Sequence, residues 1–494
     1  MRYNNFGDRK LSMLMDFYEL TMSNGYFSNG MKDDIVYFDM FFRKNPDGAG
    51  FSIVAGLEQV IEYIKELKFT DDDIEFLKNK KIFKNEFLEY LRNFKFTGDI
   101  YAIPEGTPVF PGEPLVTVRA KTIDAQLIET MLLLTINHQS LIATKANRIV
   151  RAAKGRPIME FGARRSQGYD GAIYGGRAAY IGGVVGTATT LADEVFGVPA
   201  LGTMAHSWVQ MFESEYESFK VYAENYPDNC TLLIDTYNVI NSGIPNAIRV
   251  YKEVLEPKGK RLKGVRIDSG DISYLSKKCR EMLDEAGLTD CSIVASNSLD
   301  EFIITDLLDQ GAKVDSFGVG ERLITAKSEP VFGCVYKLVG VEKDGKIIPK
   351  IKLSENEEKI TNPGYKKVWR LYDKTTHSPI ADVICLSHEV IDDTNPYTIF
   401  DEIHVWKKKK IKNFYAKNLQ VPIFINGHCV YESPRLDDIR NFCAKEVGNL
   451  WSEVKRFINP HSYYVDLSPE LWNCKQNLIS QYSFKESTMR LQEE

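Results

Sequence analysis

Short apolar runs alternate with longer amphipathic segments through the middle of the chain. Each run is rich in Val, Ile and Leu and is too short for a helix, which is typical of strands buried on both faces of a parallel sheet. One run begins at Ile158, and the others are Val198–Met204, Leu232–Asp235, Gly264–Asp268, Ser292–Ser296 and Val314–Gly320. The segments predicted as helices are His206–Asn225, Asn238–Leu255, Ile272–Ala286 and Leu299–Leu308. This alternation predicts βα units with right-handed crossovers, as in a (β/α) barrel.

The apolar runs end in polar residues or glycines. In a (β/α) barrel, the carboxyl ends of the strands carry the active site. The residues expected to converge on one barrel mouth are therefore His206, Asp235, Arg266, Asp268, Ser296, Asn297, Gly318 and Gly320.

The sequence on either side of this region has a different pattern. Before it, we predict helices at Asp16–Tyr26, Leu57–Leu67 and Ala125–Ala143, a strand at Ile35–Phe42, and a small antiparallel sandwich within Thr97–Val118, where Pro and Gly impose tight turns. After it, we predict strands at Val335–Val341, Lys366–Tyr372 and Ile380–Ile384 that return to the N-terminal sheet, a solvated strand or turn at Lys407–Lys412, and an amphipathic helix at Pro434–Phe457.

Composition fits an ordinary folded enzyme, because the 494 residues are 44% hydrophobic and 26% charged. The formal net charge of −6 argues against general nucleic-acid binding but leaves room for a local basic pocket. The N-terminus lacks the apolar core of a signal peptide, and no apolar run is long enough to span a bilayer. Eight cysteines occur without a CxxC pair, which predicts reduced thiols rather than a zinc knuckle. We therefore expect a cytoplasmic protein with no nucleic-acid or membrane partner.

Phe161 and Arg164 together indicate a pocket for a flat, anionic substrate. An aromatic ring offers a stacking face, and an arginine fork pairs two oxygens of a carboxylate or phosphate at once. The alternative interpretation is a core Phe beside surface arginines.

His206 and Asp235 are predicted at successive strand ends. A carboxylate on one ring nitrogen would fix the tautomer and leave the other nitrogen as a nucleophile. The stretch Arg266–Asp271 has a structural alternative, a helix start with Ser269 as N-cap and Asp271 in the first turn. Ser296, Asn297, Gly318 and Gly320 follow late strands, where barrels bind phosphate through backbone amides.

Several separated blocks occur in one order along the chain: Asp16–Met22, Phe161–Arg164, Gly202–Ser207, Leu233–Asn238, Arg266–Asp271, Phe317–Gly320 and Gly333–Leu338. Together they closely resemble the nicotinate phosphoribosyltransferase family, from about Asp16 to about Leu338 and more loosely afterwards. The resemblance implies an α/β fold, with an irregular (β/α) barrel of the type II phosphoribosyltransferase kind, an N-terminal α/β sandwich domain and a helical C-terminal extension. The domain boundaries expected are 1–140 for the N-terminal domain, 141–340 for the barrel, 341–415 for the returning strands and 416–494 for the extension.

The resemblance also implies an activity. Enzymes of this family join nicotinate to phosphoribosyl pyrophosphate and release nicotinate mononucleotide and pyrophosphate, the first step of NAD synthesis from nicotinate. The reaction is coupled to ATP, a co-substrate, through a transiently phosphorylated histidine, and the sites lie at the interface of a homodimer. Mg²⁺ is expected with ATP and pyrophosphate, although the sequence contains no dedicated metal cage.

Carried over residue by residue, the resemblance assigns roles. Phe161 would stack on nicotinate, and Tyr18 matches a second stacking residue supplied by the partner subunit. Arg164 would bind phosphate or the substrate carboxylate, and Arg266 would approach the nicotinate or ribosyl site. Asp268 would hold ribose hydroxyls and stabilise the positive charge that develops on the sugar. His206 would carry the phosphate with Asp235 beside it, and the remaining predicted substrate-binding residues of these blocks are Thr203, Ser269 and Gly270.

One departure from the family pattern follows Gly320. Many relatives have a threonine there, whereas this chain has Glu321, which would repel phosphate unless it turns away or meets a cation. We therefore leave Glu321 out of the predicted site.

Other functions remain as alternatives. Nicotinamide phosphoribosyltransferase would place an aspartate near the stacking residues, and the loosely aligned position here is Ala188. Quinolinate phosphoribosyltransferase needs a more basic pocket and is typically much shorter. A Schiff-base aldolase needs a lysine at a strand end, but Lys263 precedes its strand. A non-catalytic, phosphate-binding barrel would leave the mouth residues chemically idle.

Overall fold

The computed structural model describes residues 11–356 and 359–490, which form two compact units. The central unit comprises Ile142–Pro330. The flanking unit is built from the described residues up to Leu141 and from Val331 onward.

The N-terminal part of the flanking unit contains short strands and helices. The strands are β1 (Ile35–Phe41), β2 (Ser52–Ile53), β3 (Asp99–Ala102), β4 (Pro108–Val109) and β5 (Val116–Lys121). The helices are α1 (Phe17–Ser28), α2 (Leu57–Glu66), α3 (Asp71–Asn79), α4 (Asn85–Arg92), α5 (Thr122–Gln126) and α6 (Glu129–Ala152), whose residues from Ile142 onward belong to the central unit. The predicted first helix, first strand and second helix are confirmed within two residues at each end. The single helix predicted over Ala125–Ala143 is instead α5 followed by the much longer α6.

The central unit is a parallel sheet with intervening helices. Its strands are β6 (Ile158–Glu160), β7 (Gly186–Thr187), β8 (Thr231–Leu233), β9 (Gly264–Ile267), β10 (Ser292–Asn297) and β11 (Ser316–Val319). Its helices are α7 (Gly168–Ile181), α8 (Thr190–Phe196), α9 (His206–Gln210), α10 (Glu215–Asn225), α11 (Ile244–Val250), α12 (Ile272–Glu285), α13 (Glu301–Asp309) and α14 (Glu321–Ile324). All strand pairs are parallel, in the order β7-β6-β11-β10-β9-β8. The carboxyl ends of these strands therefore share one edge of the sheet.

The prediction of a strand at Val198–Met204 is wrong. This stretch holds only a single bridge, from Ala200 to Thr187 of β7. Pro199 cannot donate a ladder hydrogen bond and Gly202 weakens a strand, so an apolar composition does not suffice here. The strand beside β6 is instead the two-residue β7, which the sequence analysis did not predict.

Two predicted helices are interrupted. His206–Asn225 divides into α9 and α10, because the Ser214 side chain accepts a hydrogen bond from the Glu217 amide and starts a new helix. Asn238–Leu255 contains α11 between two π-helical segments, Val239–Gly243 and Tyr251–Leu255. Helices α12 and α13 agree with the predictions within two residues.

The C-terminal part of the flanking unit is richer in strands than predicted. Its strands are β12 (Val335–Lys343), β13 (Lys346–Pro349), β14 (Lys366–Asp373), β15 (Pro379–Leu386), β16 (Tyr397–Phe400), β17 (Lys408–Ile411), β18 (Phe414–Asn418), β19 (Val421–Ile425), β20 (His428–Cys429) and β21 (Val465–Leu467). Its helices are α15 (Leu436–Asn449) and α16 (Pro469–Arg490). Residues 416–494 were predicted as a helical extension, but their described part contains three complete strands, β19 to β21, as well as both helices.

Only some of the predicted strands return to the N-terminal sheet. That sheet is antiparallel in the order β13-β12-β1-β5-β3-β19-β20, so the strand predicted at Val335–Val341 does return to it. The strands predicted at Lys366–Tyr372 and Ile380–Ile384 exist as β14 and β15, but they belong to a separate sheet, β18-β14-β15-β21. The lysine-rich stretch is the exposed strand β17, paired with β16.

A charged pair lies in the core of the flanking unit. Arg370 and Asp382 face each other across β14 and β15, and both are fully buried. The guanidinium donates from Nε to Oδ1 at 2.8 Å and from Nη2 to Oδ2 at 2.6 Å, and Nη2 also reaches the carbonyl of Pro108 at 2.9 Å. The Tyr463 hydroxyl donates to Asp382 at 3.0 Å. Every oxygen of this carboxylate therefore has a donor.

The eight cysteines are free thiols, and most are buried. In the central unit, burial raises the pKa of Cys230, Cys279 and Cys291 to about 12. In the flanking unit, burial has the same effect on Cys385 and Cys443. These thiols therefore pack as small apolar groups.

Candidate active site

A cavity of about 390 Å³ opens at the carboxyl edge of the parallel sheet. The predicted residues among its lining are Phe161, Arg164, Thr203, Arg266, Asp268, Ser296, Asn297, Gly318 and Gly320. All of them belong to the central unit. Six of the eight residues predicted at the barrel mouth therefore lie around one space, whereas His206 and Asp235 are not among its lining residues.

Glu160 fixes the loop that carries Phe161 and Arg164. It is the last residue of β6 and is fully buried. Its carboxylate accepts hydrogen bonds from the Gly162 amide and, at 2.6 Å, from the Thr187 hydroxyl at the end of β7. Burial raises the pKa of Glu160, and these two hydrogen bonds oppose the rise. Glu160 was not among the predicted site residues, although a lone acid that ends an apolar run was a signal in the sequence.

Arg266, which lines the cavity, donates hydrogen bonds to three side chains and to the Met204 carbonyl. Nε donates to the Ser296 hydroxyl at 2.8 Å, and Nη1 donates to the Thr203 hydroxyl at 2.9 Å. Nη2 donates to Asp268 Oδ1 at 3.2 Å, and the Ser296 hydroxyl donates to the same oxygen. Because Arg266 lies within β9 and Ser296 within β10, two adjacent strands determine where the Asp268 carboxylate points.

The Asp268 carboxylate is charged and partly open to solvent. Burial alone would raise its pKa, but the hydrogen bond from Ser296 and the charge of Arg266 outweigh burial and hold the pKa below its usual value. About a third of the side chain, 34%, remains accessible to solvent. The cavity therefore has a fixed negative charge beside the positive charge of Arg266.

His206 contacts Thr236 and approaches Asp268, so its predicted pairing with Asp235 is wrong. It is the first residue of α9, and its Nδ1 lies 3.1 Å from the Thr236 hydroxyl. Its Nε2 lies 3.8 Å from Asp268 Oδ2, beyond hydrogen-bond range. A hydroxyl both donates and accepts, so Thr236 is compatible with either tautomer of the imidazole.

Asp235 instead holds the loop that follows β9. Its Oδ2 accepts from the Asp268 amide at 2.9 Å and from the Ser269 hydroxyl at 2.6 Å. The interpretation of Ser269 as an N-cap is also wrong, because Asp271 caps α12 by accepting from the Tyr274 amide at 2.9 Å. Gly270, with φ of 81°, provides the turn between these two residues. The loop after β9 is thus held by Asp235 and turned at Gly270, which fixes the backbone of Asp268. The cavity lining does not include Asp235, Ser269 or Gly270.

Glu321 lines the cavity, although the sequence analysis left it out. Its carboxylate accepts from Lys327 Nζ at 2.7 Å, and this hydrogen bond lowers the pKa of Glu321. The acid therefore meets a cation, which was the condition for tolerating it there. The other lining residues that were not predicted as site residues are Arg165, Ala188, Leu201, Gly202, Met204, Ala205 and Ser298.

Tyr18 lies in the flanking unit, on α1, and is 44% exposed. Partial burial and the neighbouring Glu129 raise the pKa of its hydroxyl. The next residue, Glu19, is fully buried and accepts from the Thr130 hydroxyl. Burial raises the pKa of Glu19 to about 7. Helix α1 therefore presents an aromatic side chain outward and places inward an acid that has no cation partner among the described residues.

Residues 11–356 and 359–490 contain neither a cluster of metal ligands nor a membrane-spanning helix. No group of three or more His, Cys, Asp or Glu side chains in these ranges could hold a metal ion. No helix in the same ranges has the length and apolar character needed to cross a membrane.

Three family models match the chain. Residues 13–137 match the nicotinate phosphoribosyltransferase N-terminal domain, residues 157–373 the nicotinate phosphoribosyltransferase family, and residues 365–475 the nicotinate phosphoribosyltransferase C-terminal domain. The chain is 45% identical over 476 residues to a nicotinate phosphoribosyltransferase of Bacillus subtilis strain 168, with 96% of each protein covered.

Solved structures agree with these matches. The crystal structure of human nicotinic acid phosphoribosyltransferase superposes with a TM-score of 0.84 at 28% identity, over 94% of this chain and 99% of the human chain. A nicotinate-nucleotide pyrophosphorylase from Pyrococcus furiosus gives a TM-score of 0.69 at 24% identity, over 91% of this chain and 99% of that chain, and this likeness shows the fold alone.

Proposed function

Because the chain belongs to the nicotinate phosphoribosyltransferase family, we propose that it transfers the phosphoribosyl group of phosphoribosyl pyrophosphate to nicotinate. The products are nicotinate mononucleotide and pyrophosphate, and the reaction is the first step of NAD synthesis from nicotinate. One observation carries the proposal: a single cavity brings Phe161, Arg164, Arg266 and Asp268 together.

Each of these side chains fits one part of the reaction. The ring of Phe161 offers nicotinate a stacking face, and Arg164 offers its carboxylate, or a phosphate, a two-pronged donor. When pyrophosphate leaves, positive charge develops on the ribose ring. The ionised Asp268, held in place by Arg266 and Ser296, stabilises this charge without having to reorganise.

The cavity wall favours nicotinate over nicotinamide. Ala188 lines the cavity where an acid would favour the amide and repel the carboxylate of nicotinate. The test measures pyrophosphate release with nicotinate and nicotinamide side by side. We expect a much higher kcat/KM with nicotinate, and comparable values would overturn the specificity. The absence of release with either substrate would overturn the proposed function.

We also propose that ATP is a co-substrate and that His206 accepts its phosphate. The support is an imidazole that is 41% exposed beside the Asp268 carboxylate. Labelled ATP should give an acid-labile, base-stable adduct that His206→Asn abolishes together with ATP hydrolysis, while weak transfer persists. Full labelling of His206→Asn would contradict this role. The described residues provide no metal cage, so we expect Mg²⁺ to arrive on the phosphate oxygens of ATP and pyrophosphate.

A homodimer with Tyr18 acting across its interface is a further part of the proposal. The support is the exposed aromatic and apolar face of α1, formed by Phe17, Tyr18 and Met22. Mixing an inactive Tyr18→Ala chain with an inactive Asp268→Asn chain should restore activity in mixed dimers. Mixed dimers that form but stay inactive would argue against a shared site.

The parallel sheet and the cellular location complete the proposal. We infer that the six parallel strands β6 to β11 form the irregular barrel expected for the family. The support is their parallel order and the cavity at their carboxyl ends. A cytoplasmic location is supported by the eight free thiols, which suit a reducing compartment.

A further inference from the structure

Gly318, in the middle of β11, lies against the ring of Phe161. A Cβ atom placed on Gly318 would come within 2.5 Å of Phe161 Cδ2 and 2.7 Å of Cε2. Carbon atoms in contact prefer separations of about 3.5–4.0 Å, so any side chain at this position would displace the ring. The φ of Gly318 does not lie in the left-handed region, so the space it leaves, and not its backbone freedom, explains the glycine.

The backbone around Phe161 is held equally closely. The Phe161 amide donates to the Val319 carbonyl at 2.8 Å. A Cβ on Gly162 would meet the Gly320 carbonyl oxygen at 2.6 Å, and a Cβ on Gly320 would meet the Phe161 carbonyl oxygen at 3.2 Å. The end of β6 therefore packs directly on the end of β11. The backbone of Phe161 cannot move without breaking this contact, which leaves rotation of its side chain as the response to crowding.

We propose that Gly318 is a positioning residue for the pyridine ring of the substrate: by lacking a Cβ, it leaves the space in which the Phe161 ring lies. This inference rests on the proposed function, in which Phe161 stacks on nicotinate. It differs from the expectation that Gly318 serves phosphate binding through close approach of its amide. The two roles make different predictions, because one affects nicotinate and the other affects phosphoribosyl pyrophosphate.

The expected effect of Gly318→Ala is a rise of about tenfold in the KM for nicotinate, with a much smaller change in the KM for phosphoribosyl pyrophosphate, because a tilted ring loses stacking of about this strength. The matched control is Gly448→Ala in α15, where an added Cβ meets nothing within 4 Å. We expect the control to leave both KM values unchanged.

A double-mutant cycle makes the test specific. In a Phe161→Ala background the ring is gone, so Gly318→Ala should add little to the rise in the KM for nicotinate. Effects that multiply, or a rise confined to the KM for phosphoribosyl pyrophosphate, would overturn the proposal. If Gly318→Ala alone does not fold, Phe161→Leu in the same chain should restore folding by giving the methyl group room. Failure of that rescue would also overturn the proposal.

The outcome can be separated from failure of the proposed function. If the wild-type protein does not use nicotinate, the function is refuted regardless of Gly318. The role of Gly318 is then decided by a crystal structure of Gly318→Ala. A displaced Phe161 ring supports the inference, and an unmoved ring beside an added methyl group overturns it.

Discussion

Each unit contains an arginine–aspartate pair, and the two pairs differ in burial and in role. In the flanking unit, Arg370 and Asp382 are fully buried, and their two-pronged contact is completed by Tyr463. In the central unit, Arg266 and Asp268 share one contact at 3.2 Å, and the carboxylate keeps 34% of its area exposed. The second pair is arranged by neighbouring hydroxyls and leaves one carboxylate oxygen facing His206 at 3.8 Å.

The difference shows how burial decides the role of a charge. A fully buried carboxylate whose oxygens are all occupied has nothing left to offer a substrate, and its loss is felt as stability. A half-buried carboxylate that remains ionised can respond to charge that develops nearby, and its loss is felt as rate.

The largest effect is expected for Asp382→Asn. Removing the carboxylate charge breaks the two-pronged ion pair and leaves the buried Arg370 guanidinium with only the Glu113 carboxyl, 4.0 Å from Nη2, as an acidic neighbour. This should lower the free energy of unfolding by about 3–5 kcal/mol. Urea unfolding measures this loss, and kcat per folded molecule should stay near the wild-type value. The matched control is Asp284→Asn, an exposed partner of Arg280, for which we expect a loss of less than about 1 kcal/mol. Equal losses in the two variants would break the comparison.

For Asp268→Asn we expect the reverse pattern. The fall in kcat should be about 10²- to 10³-fold, because a preorganised charge is removed from the reacting centre. Since the side chain is partly exposed, Tm should change little. Asp271→Asn, three residues further on, is the control, because asparagine caps a helix as well as aspartate does. A large drop in Tm for Asp268→Asn, with little change in kcat, would show that this pair is structural too.

Thr236→Val tests the contact that replaces the predicted His206–Asp235 pair. Loss of one hydrogen bond to the imidazole, about 0.5–1.5 kcal/mol, should slow labelling of His206 by ATP about 2- to 12-fold. Thr236→Ser keeps the hydroxyl and should label at the wild-type rate. Asp235→Asn should act on transfer through the Asp268 loop and affect labelling less than Thr236→Val. If Asp235→Asn slows labelling more than Thr236→Val does, the result would favour the predicted pairing of His206 with Asp235.

The smallest effect concerns Glu19, a buried acid of the flanking unit for which the described residues supply no cation partner. Its pKa is raised by burial to about 7, so the folded state holds the proton more tightly than the unfolded state does. Stability is therefore lost as pH rises from the unfolded pKa towards about 7, and it stays lower above that. Glu19→Gln should raise Tm at pH 8 by about 1–3 °C and flatten the decline between pH 5 and pH 8. Glu66 is exposed, so the Tm of the control variant Glu66→Gln should decline between pH 5 and pH 8 as the wild-type Tm does. An equal decline in the Tm of Glu19→Gln would contradict the raised pKa of Glu19.

The sequence predicted the parallel strands well where apolar runs contain no breaker. Gly264–Asp268 and Ser292–Ser296 became β9 and β10 almost residue for residue, and their ends carry Arg266 and Ser296 as expected. Val198–Met204 has the same apolar character but lies in an irregular segment that still lines the cavity. Only Val198 and Met204 of this segment are buried, and Pro199, Ala200 and Gly202 are exposed, so its apolar composition indicated neither a strand nor full burial.

Partnerships between loops could not be predicted from the sequence. Asp235 and His206 were paired because both follow apolar runs, yet Asp235 binds the amide of Asp268 and leaves the imidazole to Thr236. Gly318 was assigned to phosphate because it follows a late strand of the predicted barrel. Its contact with Phe161 joins positions far apart in the chain, and no linear motif records the space that a ring requires.

The buried cysteines can serve as native probes of how often each unit opens. Cys230, Cys279 and Cys291 are buried, and burial raises the pKa of their thiols to about 12, so they present little reactive thiolate to solvent at pH 8. Alkylating reagents therefore reach them only when the surrounding structure opens. Cys385 and Cys443 are buried thiols of the same kind in the flanking unit, so their alkylation would report on the opening of that unit. Following the two sets by mass spectrometry would time the opening of each unit separately, with no label introduced into the chain.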